Sequence, residues 1–164
     1  MKIAICDDEV AVSEVTKSLL QQWAIHQSIS LSVHCYENGD DLILAQKNEC
    51  FDLIFLDVLM PLLNGIDTAK ELRRQNQNVS IIFLTSSKEF AFDSYEVKAL
   101  QYLLKPISPH QLWSIMDDFM AMIKNQKETF VARTSDGFCK IALENTSYLE
   151  AQNKSVVVFL HNGT

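Results

Sequence analysis

The sequence predicts an α/β fold: a doubly wound, five-stranded parallel sheet in the order 2-1-3-4-5, followed by a partial all-β segment. Three observations predict it. Over residues 1–124, short β-rich apolar segments alternate with stretches whose apolar residues recur at helical spacing, as repeated βαβ units require. The run Leu53 to Leu56 lacks the polar alternation of a half-exposed strand and so reads as buried on both faces. After Ile123 the helical periodicity stops, and only short strand-like pieces remain.

Taken in order, Lys2 to Cys6 is the first strand, ending abruptly in Asp7-Asp8-Glu9. Val12, Val15, Leu19 and Trp23 then predict an amphipathic helix to about Gln27. Leu31 to Tyr36 is the second strand, and Asn38-Gly39-Asp40 a turn and helix start, continued from Leu42 to Lys47. The third strand delivers Asp57 to its C-terminal end, where Met60-Pro61 forces a turn. Gly65 precedes a helix marked by Ile66, Ala69 and Leu72, which ends among Arg73 and Arg74, expected as a solvated helix end. Val79 to Leu84 is the fourth strand, followed by Thr85-Ser86-Ser87 and a weakly patterned helix from Glu89 to Glu96. Ala99 to Leu104 is the fifth strand, ending in Lys105-Pro106. Pro109 helps to start a last helix, carried by Leu112, Ile115, Phe119, Met122 and Ile123. Right-handed crossovers place helices on both faces, and the chosen order sets the ends of strands 1 and 3 side by side.

The domain division follows: residues 1–124, a polar linker over 125–129, and 130–164. In the last segment Thr129 to Arg133, Phe138 to Leu143, Tyr148 to Ala151 and Ser155 to Leu160 read as strands. Ser135-Asp136-Gly137 and Gln152-Asn153-Lys154 look like the turns between them. So short a meander cannot hold a core alone and reads as the opening of a second, all-β domain.

Composition narrows the function classes. With 48% hydrophobic and 21% charged residues, the chain can bury one real core. The net charge of -7 falls wholly on residues 1–129, while 130–164 balance three basic against three acidic residues. An acidic body repels phosphate backbones, so charge gives no sign of DNA binding. Cys6, Cys35, Cys50 and Cys139 lie far apart, and His26, His34, His110 and His161 show no ligand spacing, which predicts reduced thiols rather than a disulfide framework or a zinc site. Nothing resembles a signal peptide or a membrane span, so a cytoplasmic protein is expected.

The strand ends carry the chemistry. Strand 1 ends in Asp7-Asp8, strand 3 in Asp57, strand 4 in Thr85 and strand 5 in Lys105, all at the edge where open α/β sheets bind ligands. Three carboxylates meeting there repel one another unless a divalent cation sits among them, and hard oxygen ligands suit Mg²⁺. A metal-bound carboxylate beside a lysine can attack a phosphoryl group, with Thr85 donating to one of its oxygens, to give an aspartyl phosphate.

Asp7-Asp8, Asp57-x-x-Met60-Pro61-x-x-x-Gly65, Thr85 and Lys105-Pro106 together resemble the receiver domain of two-component response regulators, CheY-like in fold, over about residues 1–124. The resemblance implies that Asp57 accepts phosphate from the phosphohistidine of a sensor histidine kinase. It also implies that Asp8, Asp57 and the main-chain carbonyl of Leu59 bind Mg²⁺, with Asp7 helping through water, and that Thr85 and Tyr102 form a switch pair. A cis Lys105-Pro106 bond belongs to the same expectation. Leu59 is apolar where many members are polar, and Ser86 stands where Ala or Gly is frequent. Lys140 to Ala151 resembles the start of a LytTR-type DNA-binding domain, an all-β module that reads DNA through loops. The basic loops of that module are expected beyond Thr164, so the polypeptide alone should bind DNA weakly or not at all.

The implied function is a signalling switch that controls a transcription-regulatory output and catalyses only its own phosphorylation, without turnover. One rival is an Asp-nucleophile phosphohydrolase like the haloacid dehalogenase family, which needs an Asp-x-Asp at the first strand where this chain has adjacent acids. The other is a phosphate-independent receiver acting as a binding module. The apolar content of residues 110–123 (Trp113, Met116, Met120 among them) is mainly core, yet exceeds one buried face and leaves a homodimer surface along the last helix and strand 5 as a secondary expectation.

Overall fold

The computed structural model describes residues 1–75, 79–127, 129–134, 137–142, 146–152 and 155–160. It divides into two compact units, Met1–Trp113 and Ser114–Thr164. In the first, β1 (Lys2–Cys6) lies between β2 (Ser32–Tyr36) and β3 (Leu53–Leu56), and β4 (Ser80–Thr85) and β5 (Gln101–Leu104) follow, giving the order β2-β1-β3-β4-β5. All four pairings are parallel, with Cys6 opposite Leu56, Leu56 opposite Phe83 and Thr85 opposite Leu104. The predicted architecture and strand order are both present.

Alternation along the strands sorts the core into two layers. Ala4, Cys6, Ile54, Leu56, Ile81 and Phe83 point into one cluster with Leu42 of α2 (Gly39–Glu49) and with Ile66, Ala69 and Leu72 of α3 (Gly65–Gln75). Their neighbours Ile3, Ile5, Leu53, Phe55, Ile82 and Leu84 are equally buried on the opposite face. There α1 (Val10–His26) turns Leu20 and Trp23 inward, and the Trp113 indole N–H donates to the Leu19 carbonyl at 3.2 Å, fixing the first turns of α5 (Pro109–Lys127) beside α1.

Two helices start on asparagine. The Asn38 side chain accepts the Asp41 N–H at 2.9 Å and opens α2, and Asn64 accepts the Asp67 N–H at 2.9 Å and opens α3. Gly65 is needed for close approach: a Cβ there would overlap the Asp57 carbonyl oxygen and lie 2.8 Å from Val58 Cα. Its own N–H donates to the Val58 carbonyl at 3.0 Å, closing the loop that follows β3.

Three local readings are corrected. The helix expected over Glu89 to Glu96 shrinks to α4 (Asp93–Glu96), because serine side chains take local backbone groups instead: Ser87 Oγ accepts the Glu89 N–H at 3.1 Å and Ser94 Oγ donates to the Ala91 carbonyl at 2.5 Å. Arg73 is not a solvated helix end. Its guanidinium donates to the Val97 and Val79 carbonyls, each at 2.6 Å, and burial pulls its pKa down. The polar residues expected as a linker over 125–129 instead continue α5 to Lys127, and β6 (Thr129–Thr134) opens at the next strand residue, since Lys, Asn and Gln without Gly or Pro do not break a helix. The Lys105-Pro106 bond is cis.

In the second unit β6 pairs antiparallel with β7 (Gly137–Ala142), and β8 (Thr146–Gln152) with β9 (Ser155–Leu160), two hairpins as the patterning predicted. Tyr148 stacks on Phe159 across the second hairpin at 4.2 Å between ring centroids. The turn residues Ser135, Asp136, Asn153 and Lys154 lie outside the described residues.

The close approach at Gly65 gives a direct test. Gly65→Ala should destabilise the protein by about 1–3 kcal/mol, as overpacking does, read as a lower urea midpoint at unchanged slope.

Candidate functional site

The sheet builds the site by extending three strands one residue past their ends. The Asp7 N–H donates to the Tyr36 carbonyl at 3.0 Å, the Asp57 N–H to Cys6 at 2.8 Å, and the Lys105 N–H to Thr85 at 2.9 Å. Because parallel neighbours run in step, Asp7, Asp57 and Lys105 emerge together at the C-terminal edge. The Lys105 ammonium lies 2.7 Å from a carboxylate oxygen of Asp7 and 2.7 Å from one of Asp57, with the three side chains only 8%, 3% and 4% exposed. One carboxylate oxygen from each of Asp7, Asp8 and Asp57 lies within 4.8 Å of the others, Asp8 being the exposed member. Among the described residues this is the one cluster of three metal-ligating side chains.

The second oxygens are held by the main chain. Asp57 Oδ1 accepts the Leu59 N–H at 3.1 Å, and Asp7 Oδ1 accepts the Glu9 N–H at 3.0 Å. Burial pushes the Asp7 carboxyl above its ordinary pKa, opposed in part by the hydrogen bond from Lys105. For Lys105, burial works to lower the pKa, but the bonds to Asp57 and Asp7 outweigh it and the ammonium is held above its usual value. Burial pushes the neighbouring Cys6 thiol up to about 12, with Asp7 and Asp57 adding to the effect, so this cysteine is inert. None of the four cysteines forms a disulfide.

Three carboxylates thus face one ammonium, and the uncompensated charge sits among hard oxygen donors. That donor set, one carboxylate oxygen each from Asp7, Asp8 and Asp57, fits Mg²⁺.

Thr85 is fully buried at the end of β4, but its hydroxyl accepts the Ser87 N–H at 3.4 Å and makes no hydrogen bond to Asp57. The Tyr102 hydroxyl donates to the Ser87 carbonyl at 2.7 Å, and its half-buried ring packs 5.9 Å from that of Phe83. Thr85 and Tyr102 are therefore connected through a residue that sequence reasoning passed over. Ser87 acts through its main chain, so no side-chain signal marks it. Glu9 was also missed: its carboxylate lies 3.6 Å from the Lys105 ammonium, and its place directly after Asp7-Asp8 was the available clue.

The charge arrangement predicts the behaviour of Lys105→Met. Removing the cation leaves two buried carboxylates unpaired, a loss of about 3–5 kcal/mol in metal-free buffer. Added Mg²⁺ should restore most of it, measured as urea or thermal stability with and without the ion. The pH dependence has a definite sign. A lysine whose folded pKa is raised contributes stability that is complete below about pH 10.5 and is lost as pH rises through the folded value. The wild type should show that alkaline step above pH 10.5, and Lys105→Met should lack it.

Comparison with known proteins agrees with this geometry. Residues 3–117 match the response regulator receiver domain family. The chain is 32% identical over 127 residues to the Sensory transduction protein LytT of Oceanobacillus iheyensis, covering 76% of this chain and 50% of that protein. It is 30% identical over 121 residues to the Transcriptional regulatory protein ZraR of Salmonella typhimurium, covering 73% of this chain and 26% of the relative. The chain therefore spans half or less of the length of these curated relatives. Among solved structures, the response regulator protein TrrA of Thermotoga maritima, in complex with Mg²⁺ and BeF, superposes with a TM-score of 0.63 at 25% identity, covering 72% of this chain and 97% of that one. Among the described residues no helix is long and apolar enough to cross a membrane. The acidic edge, the lysine that bridges it and the match over residues 3–117 lead to one conclusion: the chain belongs to the response regulator receiver domain family of two-component systems.

Proposed function

We propose that the chain is a phosphorylation switch in which Asp57 accepts a phosphoryl group from the phosphohistidine of a sensor histidine kinase. The observation that carries this reading is the Lys105 ammonium, bridging Asp57 and Asp7 at 2.7 Å each with Asp8 alongside. In the transfer a carboxylate oxygen of Asp57 forms a bond to phosphorus as the phosphorus–nitrogen bond to the donor imidazole breaks. The imidazole leaves with the electron pair and takes a proton from solvent. Lys105 is positioned to neutralise charge on the transferred group while still holding Asp7. The Thr85 hydroxyl accepts the Ser87 N–H and can donate its own proton to a phosphoryl oxygen; turning toward that oxygen would loosen the loop that Tyr102 holds from the other side. Mg²⁺, held by Asp8, Asp57 and the Leu59 carbonyl with Asp7 acting through water, supplies charge compensation on the phosphoryl oxygens when bound.

The reading extends to the rest of the chain. Phosphorylation biases an equilibrium between two arrangements of the segment between β4 and β5, and a transcription-regulatory output reads it. The two hairpins of the second unit support that output being a LytTR-type DNA-binding domain, which binds DNA as the full-length module and weakly or not at all as this polypeptide. The chain acts in the cytoplasm and turns over no substrate. A homodimer formed on phosphorylation is the remaining partner, and the exposed aromatic pair Phe92 and Tyr95 on the β4–β5 connection favours a protein contact there.

Intact mass after incubation with acetyl phosphate tests the reading. The wild type with Mg²⁺ should gain one phosphoryl group; the wild type with chelator, and Asp57→Asn with Mg²⁺, should gain none. A folded wild type that binds Mg²⁺ yet stays unmodified by both acetyl phosphate and phosphoramidate would leave only the binding-module reading.

A further inference from the structure

The loop joining β3 to α3 is tied down almost everywhere. Leu59 N–H is bonded to the Asp57 carboxylate, Met60 is buried with its sulfur 3.6 Å from that of Cys6, and Gly65 N–H closes the loop on the Val58 carbonyl. At its tip stands Leu62, with 99% of its surface exposed and a backbone φ of +67°. Both features cost free energy. The left-handed region suits Gly or Asn and penalises a branched side chain, and a fully exposed leucine gains nothing from burial in the fold. Nothing among the described residues offsets them, since the neighbouring Leu63 is the residue of this pair that packs, its methyl group lying beside Gly39.

We infer that Leu62, with the half-exposed Leu59, is an apolar anchor for the protein that delivers the phosphoryl group to Asp57. The inference rests on the phosphotransfer reading above and adds to it the contact that recognises the donor. Its location commits it to that occupant. Asp57 is only 4% exposed and opens at the strand edge, so a donor histidine carried on a protein has to bring its flanking surface onto the adjoining loop. Leu59, 50% exposed, connects the tip to the acceptor, because its own N–H holds the Asp57 carboxylate. The matching partner surface is a phosphohistidine segment with apolar residues beside the histidine. A small phosphodonor reaches the carboxylate without touching the tip.

The experiment compares two donors on four proteins. The donors are acetyl phosphate and the autophosphorylated cytoplasmic part of a sensor histidine kinase that phosphorylates the wild-type chain, both with Mg²⁺. The proteins are the wild type, Leu62→Asn, Leu62→Gly and Leu62→Met. Leu62→Asn and Leu62→Gly should lose about tenfold or more in kcat/KM from the kinase, chiefly through KM, as loss of an interface anchor does. Their acetyl phosphate rates should stay within about twofold, and their melting temperatures should be equal to or above that of the wild type, because both residues accept positive φ. Leu62→Met, which keeps an apolar side chain, should retain most of the kinase transfer. Unchanged kinase transfer in Asn and Gly variants overturns the proposal, and if self-association falls instead the contact belongs to a second copy of the chain. An equal loss with both donors also overturns it, by placing Leu62 in the chemistry of Asp57. A wild type that acetyl phosphate does not modify, and for which no sensor histidine kinase serves as donor, defeats the phosphotransfer reading itself, which separates that failure from a failure of the anchor.

Discussion

Mutual repulsion among Asp7, Asp8 and Asp57 is the constraint on which the rest of the structure depends. Carboxylates brought this close in a largely dry site would drive the strand ends apart if left alone. Lys105 opposes this by bonding two of the three at once, and it arrives from the end of β5, which two strands, β3 and β4, separate from β1 in the sheet. The central strands are thus linked at their C-terminal edge by side-chain charge as well as by the backbone ladder. The compensation is incomplete: one ammonium stands against Asp7, Asp8, Asp57 and the nearby Glu9, and the remaining negative charge lies among oxygen donors that fit a divalent cation.

The main chain does as much to fix the site as the side chains do. The Leu59 and Glu9 amides hold the outer carboxylate oxygens, Gly65 lets α3 begin against the Asp57 carbonyl, and the apolar layer under α2 and α3 keeps β3 from shifting. These supports explain how a charged cluster with side chains under a tenth exposed can sit on a sheet otherwise made of Ile, Leu and Phe. Each polar group there has a partner, which is the condition for tolerating it.

Much of this was legible in the sequence because the informative residues are chemically distinctive and fall at strand ends. Asp7, Asp8, Asp57 and Lys105 could be placed from apolar runs and their polar terminators alone, and the strand order followed from the wish to bring two of those ends together. What escaped reading acts through backbone groups. Ser87 joins Thr85 to Tyr102 by its N–H and carbonyl, and Arg73 finds carbonyls rather than solvent. The weakly patterned stretch from Glu89 to Glu96 suggested a longer helix, but serine hydroxyls at 87 and 94 competed for the backbone and won. Gly65 was visible as the residue before a helix, whereas its closeness to Asp57 depends on how the loop folds back.

Arg73 carries one more implication. Its guanidinium grips the carbonyls of Val97 and Lys98, just after α4, and that of Val79, just before β4. The connection between β4 and β5 is therefore tied to α3 at its far end, while its near end is held by the Ser87 main chain on Thr85 and Tyr102 and by Phe90 against the core. Between these two anchorages Phe92 and Tyr95 stand exposed, so the part of the connection that meets solvent is the part farthest from both points of attachment.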